Sequence, residues 1–288
     1  MSTALAQAAK PKFRYLSAWF CPFAHRATIA LEHHTDRIEY EWVEALGWEQ
    51  REDFNNVTKT GQEWWYHWKS EELKRANPSA LVPTLIPIEE NNKPDVANAV
   101  YESLVSIDYI DAVSRAPEHL RLVPQDPYEA ARVRIWADKV NRECCSPYYG
   151  VLVRTLDVER RSHFDGLIKG LKSFSKELRK TPGPLFMANK QLSSVDLALL
   201  PWAVRYYVFE HYRGPSFIIP TDDPALEPYH EWLEYMLTID CVQRTLPDKD
   251  QYLVHIAKYA DSSARSKVAN AVRRGVSAHE IDDDKDTY

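Results

Sequence analysis

The stretch Trp19-Phe20-Cys21-Pro22-Phe23-Ala24-His25-Arg26 places one cysteine between an apolar run and a helical pattern. Residues 13–20 are rich in aromatic side chains and predict a strand, whereas 24–33 carries apolar residues at helical spacing. Pro22 suits the first helical position, where its missing N–H costs nothing. Cys21 then lies at or next to the helix N-cap, where free N–H groups, the helix dipole and the basic residues that follow favour a thiolate. The alternative is a buried cysteine that serves as a small apolar filler.

The overall composition predicts two domains and argues against several classes of function. The chain has 288 residues, of which 44% are hydrophobic, and nine tryptophans, enough for two ordinary cores. Its net charge of −6 argues against nucleic-acid binding, and no apolar run is long enough to predict a membrane span. Residues 1–12 lack the apolar core of a signal peptide and predict a loose soluble arm. Four cysteines are too few for a disulfide scaffold and predict a reducing, cytoplasmic setting.

The chain after the first helix continues as a βαβ unit and then becomes irregular. Residues 37–45 alternate polar with apolar side chains and predict a second strand, which completes the unit. The insert 46–68 holds four tryptophans and a tyrosine among polar residues, without a clear period. It predicts either a capping loop over a ligand cleft or a flap whose aromatic side chains seal the edge of the core. We favour the sealing flap.

The segment that follows predicts a turn, a hairpin and a helix. Pro83 opens the apolar run 84–88, since a proline is tolerated at the first residue of a strand, and an X-Pro bond at such a turn is where a cis peptide is found. Residues 95–101 predict the partner strand of a hairpin. Ser103 then starts a helix to about residue 112, and its free N–H groups can hold a carboxylate.

The order of these elements, with Cys21-Pro22-Phe23-Ala24 at the first turn, resembles the thioredoxin-like domain of cytosolic glutathione transferases, specifically the cysteine-bearing omega and lambda classes. The resemblance implies that Cys21 is the catalytic residue and that Phe23 belongs to the glutathione-binding motif. Val82-Pro83 looks like the family's cis-proline dipeptide, whose backbone pairs with the cysteinyl part of glutathione.

Two further parts of the glutathione site are implied by the same resemblance. Glu102-Ser103 looks like the acid-serine pair that holds the γ-glutamyl end. Lys69 lies thirteen residues before Val82, the spacing at which the omega class places a lysine near the glycyl carboxylate.

The second half of the chain predicts an all-helical domain. The proline-containing linker 114–126 separates the thioredoxin-like domain 13–113 from the helical domain 127–260, and 261–288 forms a tail. Ser193 and Asp196 have the spacing of a capping box and resemble the box that begins the family's central helix, with a structural role. The predicted fold is therefore an α/β thioredoxin-like domain followed by an all-α domain, as in glutathione transferases. The acidic residues 280–288 predict disorder.

The resemblance also implies a pocket for the second substrate in the helical domain. It predicts that Trp202 is buried and that Arg205 borders this pocket, beside Tyr148 and Tyr149. Without the resemblance, Arg205 is a surface or salt-bridged arginine and the tyrosines are core residues. The adjacent cysteines 144 and 145 lack the spacing of a metal clip, so no metal is expected.

The predicted chemistry depends on a single thiol. The resemblance implies that a cysteine at this position forms a mixed disulfide with glutathione. Because Ala24 leaves the motif without a resolving thiol, a second glutathione must then complete the reaction. The sequence predicts a glutathione-dependent thiol transferase or reductase, with dehydroascorbate reductase-type activity and a role in detoxification. Glutathione is the expected co-substrate and a small apolar or disulfide-containing molecule is the expected second substrate.

Three alternatives remain at this point. A glutathionyl-conjugate (quinone) reductase is similar but carries Cys-Pro-Trp-Ala, from which Phe23 departs. A non-catalytic ligandin-type protein would hold apolar molecules in the cleft. A chloride intracellular channel-like protein carries Cys-Pro-Phe-Ser, but the charged and histidine residues 32–36 interrupt any apolar span. The family also implies a homodimer, and the insert 46–68 lies where transferase subunits often meet.

Overall fold

The computed structural model describes residues 9–52 and 63–286. The predicted architecture is confirmed, because a mixed α/β N-terminal part is followed by a largely helical C-terminal part. The N-terminal part contains the following strands and helices: β1 (Lys12–Ser17), α1 (Pro22–His33), β2 (Glu39–Glu44), β3 (Leu46–Glu52), β4 (Glu63–Lys69), α2 (Glu71–Ala76), β5 (Thr84–Pro87), β6 (Val100–Tyr101) and α3 (Ser103–Ser114).

The main sheet has the strand order β2-β1-β5-β6, in which β1 and β2 are parallel and the other neighbours are antiparallel. The parallel pair is joined by α1, which gives the predicted βαβ unit. Helix α1 begins at Pro22 with Cys21 as its N-cap. The phenol of Tyr15 in β1 donates to the carbonyl of Ala24 at 2.6 Å. Strand and helix are thus held together beside the cysteine.

The turn before β5 has the predicted conformation, and the Val82–Pro83 peptide bond is cis. The predicted strand 95–101 is wrong over most of its length, since 96–98 forms a short turn of 3-10 helix and β6 keeps two residues. Pro94 cannot donate to a ladder, and the Asn98 side chain donates to Asp95 at 2.7 Å, which favours a turn.

The insert 46–68 is a β-hairpin rather than an irregular loop. Strands β3 and β4 pair antiparallel, and a short strand near the carboxyl end, β7 (Ala264–Arg265), adds to β4 in parallel. The three strands form a second sheet, while residues 53–62 of the insert lie outside the described residues. Tyr66 and His67 are adjacent and both buried, so β4 is covered on both of its faces. This two-sided burial explains why the sequence shows neither a helical period nor a simple alternation.

The C-terminal part is built from nine helices among the described residues: α4 (Pro127–Val140), α5 (Pro147–Val153), α6 (Asp157–Leu178), α7 (Ser194–Ala203), α8 (Tyr207–Arg213), α9 (Glu227–Met236), α10 (Asp240–Gln243), α11 (Lys249–Ala260) and α12 (Lys267–Arg274). The central helix α7 is fully buried and begins with the predicted capping box, in which Ser193 and Asp196 satisfy each other's backbone N–H groups. This box fixes the start of the helix that packs against α1.

The disorder predicted for 280–288 is wrong for the part that the structure describes, which ends at residue 286. Asp286 is buried and accepts from the guanidinium of Arg274 at 2.8 Å, while Asp283 pairs with Lys267 on α12. The acidic composition therefore reflects partners on the preceding helix. Residues 1–8 of the predicted arm lie outside the described part of the chain, and Lys12 already belongs to β1. None of the described helices has the length and apolar character needed to cross a bilayer.

Candidate active site

A cavity of about 420 Å³ lies between the N-terminal sheet and the helical part. Its walls bring together six of the residues predicted for glutathione and catalysis: Cys21, Phe23, Val82, Pro83, Glu102 and Ser103. These residues come from the start of α1, the cis-proline turn and the start of α3, all of which meet at one edge of the main sheet. The remaining walls come from the insert hairpin, α11 and the C-terminal tail.

Cys21 lies partly buried at the N-terminus of α1 and faces the cavity. Burial raises the pKa of its thiol above the ordinary value, and this effect outweighs the opposing ones. The amides of Ala24 and Phe23 and the charges of Arg205 and Arg26 act in the other direction and favour the thiolate. The sequence predicted this stabilisation by the helix N-terminus but missed the larger desolvation effect.

Arg26 is an almost fully buried cation that lines the cavity. It donates to the carbonyl of Ala198, to the amide oxygen of Asn141 and, at 2.9 Å, to the hydroxyl of Ser103. Its guanidinium also lies 4.3 Å from the ring centroid of Trp202. Arg26 thus ties α1 to α3 and to the helical part, and it orients the Ser103 hydroxyl.

Ser103 differs in one respect from its predicted role. The N-cap of α3 is Glu102, with φ at 71°, so Ser103 is the first helical residue and not the cap. Because its oxygen accepts from Arg26, its own hydrogen is available to a carboxylate in the cavity. Free amides at the start of α3 add to this potential anion site.

His25 is held in one neutral form by its neighbours. Arg205 donates to its Nδ1 at 3.1 Å, so the ring proton lies on Nε2, which donates to the hydroxyl of Thr245 at 3.0 Å. That hydroxyl in turn donates to the carbonyl of Val242. Burial, with the charge of Arg205, lowers the pKa of His25 well below its usual value. The positive potential that the sequence assigned to His25 therefore comes from Arg205 behind it.

The second-substrate residues predicted from the sequence are only partly in the cavity. Tyr149 lines it, whereas Tyr148, Trp202 and Arg205 are fully buried behind the wall. The Tyr148 hydroxyl pairs with that of Tyr252, and Arg205 lies 4.7 Å from the Tyr252 ring centroid. The prediction that Arg205 borders the pocket is thus wrong, since Arg205 does not line the cavity. One guanidinium nitrogen instead donates to His25 and to the carbonyl of Pro201.

The wall expected from those residues is instead formed by α11. Its cavity-facing residues are Tyr252, His255, Ile256 and Tyr259. Their spacing of three, four and seven positions was the signal that the sequence offered, since it places them on one face of a helix.

Lys69 and the tail meet near the other end of the cavity. Lys69 does not line the cavity; its burial, with the nearby charge of Lys267, lowers its pKa to about 8. Asp283 does line it, pairs with Lys267 and accepts from the hydroxyl of Ser79. The tail thus contributes its own carboxylate where the sequence predicted a lysine for the glycyl carboxylate. Within the described residues, no group of three or more histidine, cysteine or acidic side chains could hold a metal.

Comparisons with known proteins agree with this geometry. Residues 20–113 match the family model described as Glutathione S-transferase, N-terminal domain. Glutathione S-transferase U27 of Arabidopsis thaliana is 27% identical over 234 residues, which cover 81% of this chain and 87% of the relative.

Solved structures extend the similarity over most of the chain. Glutathione transferase Omega 3C from Trametes versicolor is 26% identical with a TM-score of 0.63, and the match covers 90% of this chain and 94% of that one. The Tau class glutathione S-transferase MiGSTU from mango, Mangifera indica, has the same fold with a TM-score of 0.62 at 22% identity, covering 87% of this chain and 98% of that one. Proteins of more than one class are thus similar to this chain at comparable levels. Residues 20–113 therefore match the N-terminal domain of glutathione S-transferases, as the motifs of this stretch predicted, and the chain is similar to glutathione S-transferases over most of its length.

Proposed function

We propose that this chain is a glutathione-dependent thiol transferase or reductase of the cysteine-bearing, omega-like type. The observation that carries the proposal is that Cys21 faces the same cavity as the cis-proline turn and the start of α3. The three other cysteines are buried, so a second thiol does not share this wall. The proposed chemistry therefore relies on one protein thiol.

Glutathione fits the polar groups of one side of the cavity. Its γ-glutamyl carboxylate would accept from the Ser103 hydroxyl and from the first amides of α3, beside Glu102. No hydrogen bond between described residues uses the backbone of Val82, so its N–H and C=O are available to pair with the cysteinyl unit. With these two ends fixed, the glutathione sulfur lies on the side of Phe23 and Cys21.

The reaction balances with glutathione as the reductant. The Cys21 thiolate attacks the glutathionyl sulfur of a mixed disulfide R–S–SG, the S–S bond breaks, and R–S⁻ leaves and takes a proton from solvent. A second glutathione thiolate then attacks the glutathionyl sulfur of the Cys21 adduct, which releases oxidised glutathione and regenerates the Cys21 thiolate. The substrate disulfide is reduced by two electrons, and two glutathione units leave as their disulfide.

Several second substrates would depend on the same thiol, although only disulfides undergo the first step written above. Deglutathionylation of small conjugates, dehydroascorbate reduction and reduction of quinone conjugates all require the thiolate at Cys21. The omega-like type is favoured by the Cys21-Pro22-Phe23 motif and by the similarity to a structure named Omega 3C.

The test is intact-protein mass spectrometry after incubation with oxidised glutathione. We expect one glutathione adduct, located on Cys21 by peptide mapping and reversed by reduced glutathione. Cys21→Ser should lose the adduct and reduce turnover of hydroxyethyl disulfide at least about a hundredfold, since the thiolate is the nucleophile. Cys241→Ala, which removes a buried thiol, is the matched control and should keep both the glutathione adduct and the disulfide turnover.

Two outcomes would overturn the proposal. Full disulfide turnover by Cys21→Ser would rule out Cys21 as the nucleophile. If the unmodified chain shows neither adduct nor turnover, and if it binds an apolar dye as tightly as Cys21→Ser does, the protein is a ligandin-type binding protein.

We also propose a homodimer in a reducing, cytoplasmic setting. Val105 on α3 and Tyr128 and Ile135 on α4 are 53%, 75% and 65% exposed, and the Asp108–Arg134 ion pair joins these two helices, so a second copy could cover apolar side chains of both. Light scattering should report a dimer for the full chain and a monomer for Ile135→Glu. A monomer at all concentrations would contradict this.

A further inference from the structure

Residues 278–286 form a strap along the cavity wall, between the two halves of the chain. At one end of the strap, the His279 ring pairs with the hydroxyl of Ser146, which precedes α5. Further along, Asp283 accepts from the hydroxyl of Ser79, which precedes the cis-proline turn. Four strap residues line the cavity: Ala278, His279, Ile281 and Asp283. The strap therefore joins the helical part to the N-terminal part beside the site proposed for glutathione.

Asp283 brings a carboxylate into this wall, and its two oxygens have separate partners. One accepts from the ammonium group of Lys267 on α12, and the other accepts from the Ser79 hydroxyl. The same ammonium group donates to the carbonyl of Ser79 at 3.0 Å. The Lys267 side chain is 11% exposed and that of Asp283 is 46% exposed. The carboxylate thus covers a nearly buried cation and is itself open to solvent.

A second cation lies close to this ion pair. The charge of Lys267 contributes to the lowered pKa of Lys69, and the charge of Asp283 opposes it. Asp283 therefore offsets the positive charge of two lysines at this end of the cavity. A carboxylate supplied by a ligand would have the same effect, since it carries the same charge and accepts the same hydrogen bonds.

Glutathione carries two carboxylates, one at each end. In the proposed function, on which this inference rests, the γ-glutamyl carboxylate lies at Ser103 and the cysteinyl unit pairs with Val82. The second carboxylate then points away from α3, and two extended residues reach about 7 Å. In that direction the wall contains Ser79, three residues before Val82, and the strap.

We propose that the strap is an autoinhibitory element in which Asp283 occupies the position of the glycyl carboxylate of glutathione. Glutathione binds completely only when the Asp283 side chain turns to solvent and the ligand carboxylate takes its place on Lys267. This exchange is feasible because an ion pair with an exposed partner is weak. The rest of the strap can stay in place, since Asp286 pairs separately with Arg274. The apparent affinity for glutathione is reduced by the fraction of chains in which Asp283 is bound.

The test is calorimetric binding of reduced glutathione and of its C-terminal amide, in which a neutral carboxamide replaces the glycyl carboxylate. Asp283→Ala removes the competing carboxylate. We expect it to bind glutathione about threefold to fivefold more tightly than the unmodified chain does, the effect of one partly exposed ion pair. Its affinity for the amide should not increase, because a neutral group gains little from the cation. The double variant with Lys267→Met should lose the gain for glutathione.

The matched control is Asp284→Ala, which removes an exposed neighbouring carboxylate outside the cavity and should leave both affinities within twofold. Circular dichroism and the Tm of each variant check folding, and Asp283→Asn keeps the test informative if Asp283→Ala does not fold.

Three results would overturn the autoinhibitory role. They are equal or weaker glutathione binding by folded Asp283→Ala, an equal gain for the amide, and a gain that survives Lys267→Met. Because binding of reduced glutathione requires neither an adduct nor turnover, these results are independent of whether Cys21 is the nucleophile. Failure of the proposed function at Cys21 and failure of the strap are therefore distinguishable.

Discussion

The guanidinium of Arg26 donates to the hydroxyl of Ser103 at 2.9 Å, across the gap between α1 and α3. The same side chain is anchored on Ala198 of the central helix, so the position of the Ser103 hydroxyl depends on both halves of the chain. The polar end of the proposed glutathione site and the helix that begins at Cys21 are therefore fixed by one buried cation.

Removal of the Ser103 hydroxyl should weaken glutathione binding. We expect Ser103→Ala to raise the Kd for glutathione at least about tenfold, since a hydrogen bond to a charged group is lost. The measurement is calorimetric titration with reduced glutathione. Ser106→Ala, one turn further along α3, removes a buried hydroxyl without a partner among the described residues and should change the Kd less than twofold. Similar affinities for the two variants would contradict the assignment of Ser103.

The reactivity of Cys21 should rise with pH beyond the range of an ordinary thiol. Because burial raises its pKa, the thiolate forms only at higher pH, and the thiolate is the species that reacts. The rate of iodoacetamide alkylation at Cys21, followed by mass spectrometry, should still be rising at about pH 9, near the ordinary cysteine value. A rate that is already constant at neutral pH would show that the amides and arginines dominate over desolvation.

Arg205 should act on Cys21 through its charge. It is fully buried, it favours the thiolate, and it does not line the cavity. We expect Arg205→Met to move the alkylation profile to higher pH and to slow alkylation several-fold at pH 7, and Arg205→Lys to move it less. Arg205→Met removes the donor to His25, so a lower Tm alone is uninformative. An unchanged profile in folded Arg205→Met would show that the role of Arg205 is structural.

The capping box should contribute strongly to stability. Asp196 is fully buried and accepts from Ser193, from the Phe186 amide and from the Trp232 indole N–H. Ser193→Ala should lower the free energy of unfolding by about 1 kcal/mol, and Asp196→Ala by about 3 kcal/mol or more. Urea denaturation measures both. Ser194→Ala, which removes a neighbouring buried hydroxyl without a described partner, should stay within about 0.5 kcal/mol. Equal losses for the two serine variants would argue against the cap.

Local sequence signals predicted the backbone conformation around Cys21 and at the start of the central helix well. Pro22 at the first helical position, the Val82–Pro83 turn and the Ser193–Asp196 box each depend on contacts within a few residues, and each has the predicted conformation. Cys21 and the cis-proline turn come together because β1 and β5 are antiparallel neighbours, so the end of β1 lies beside the start of β5.

The rest of the cavity could not be predicted, since it depends on pairings between distant segments. β4 of the insert pairs with β7, about two hundred residues later, and the tail carboxylate of Asp283 reaches Ser79. The acidic tail has the composition of a disordered segment, and only its partners Lys267 and Arg274 explain its order. Arg205 was misplaced for a similar reason: its guanidinium is turned away from the cavity by His25 on α1.

The burial of Cys144, Cys145 and Cys241 has a practical consequence. A limiting amount of a maleimide dye should label the native chain at one position, inside the cavity, whereas the denatured chain should take up four equivalents. The dye would then report directly on occupancy of the site, because a bound ligand must compete with it for the same space. Uptake of more than one equivalent by the native chain would show that another thiol is accessible.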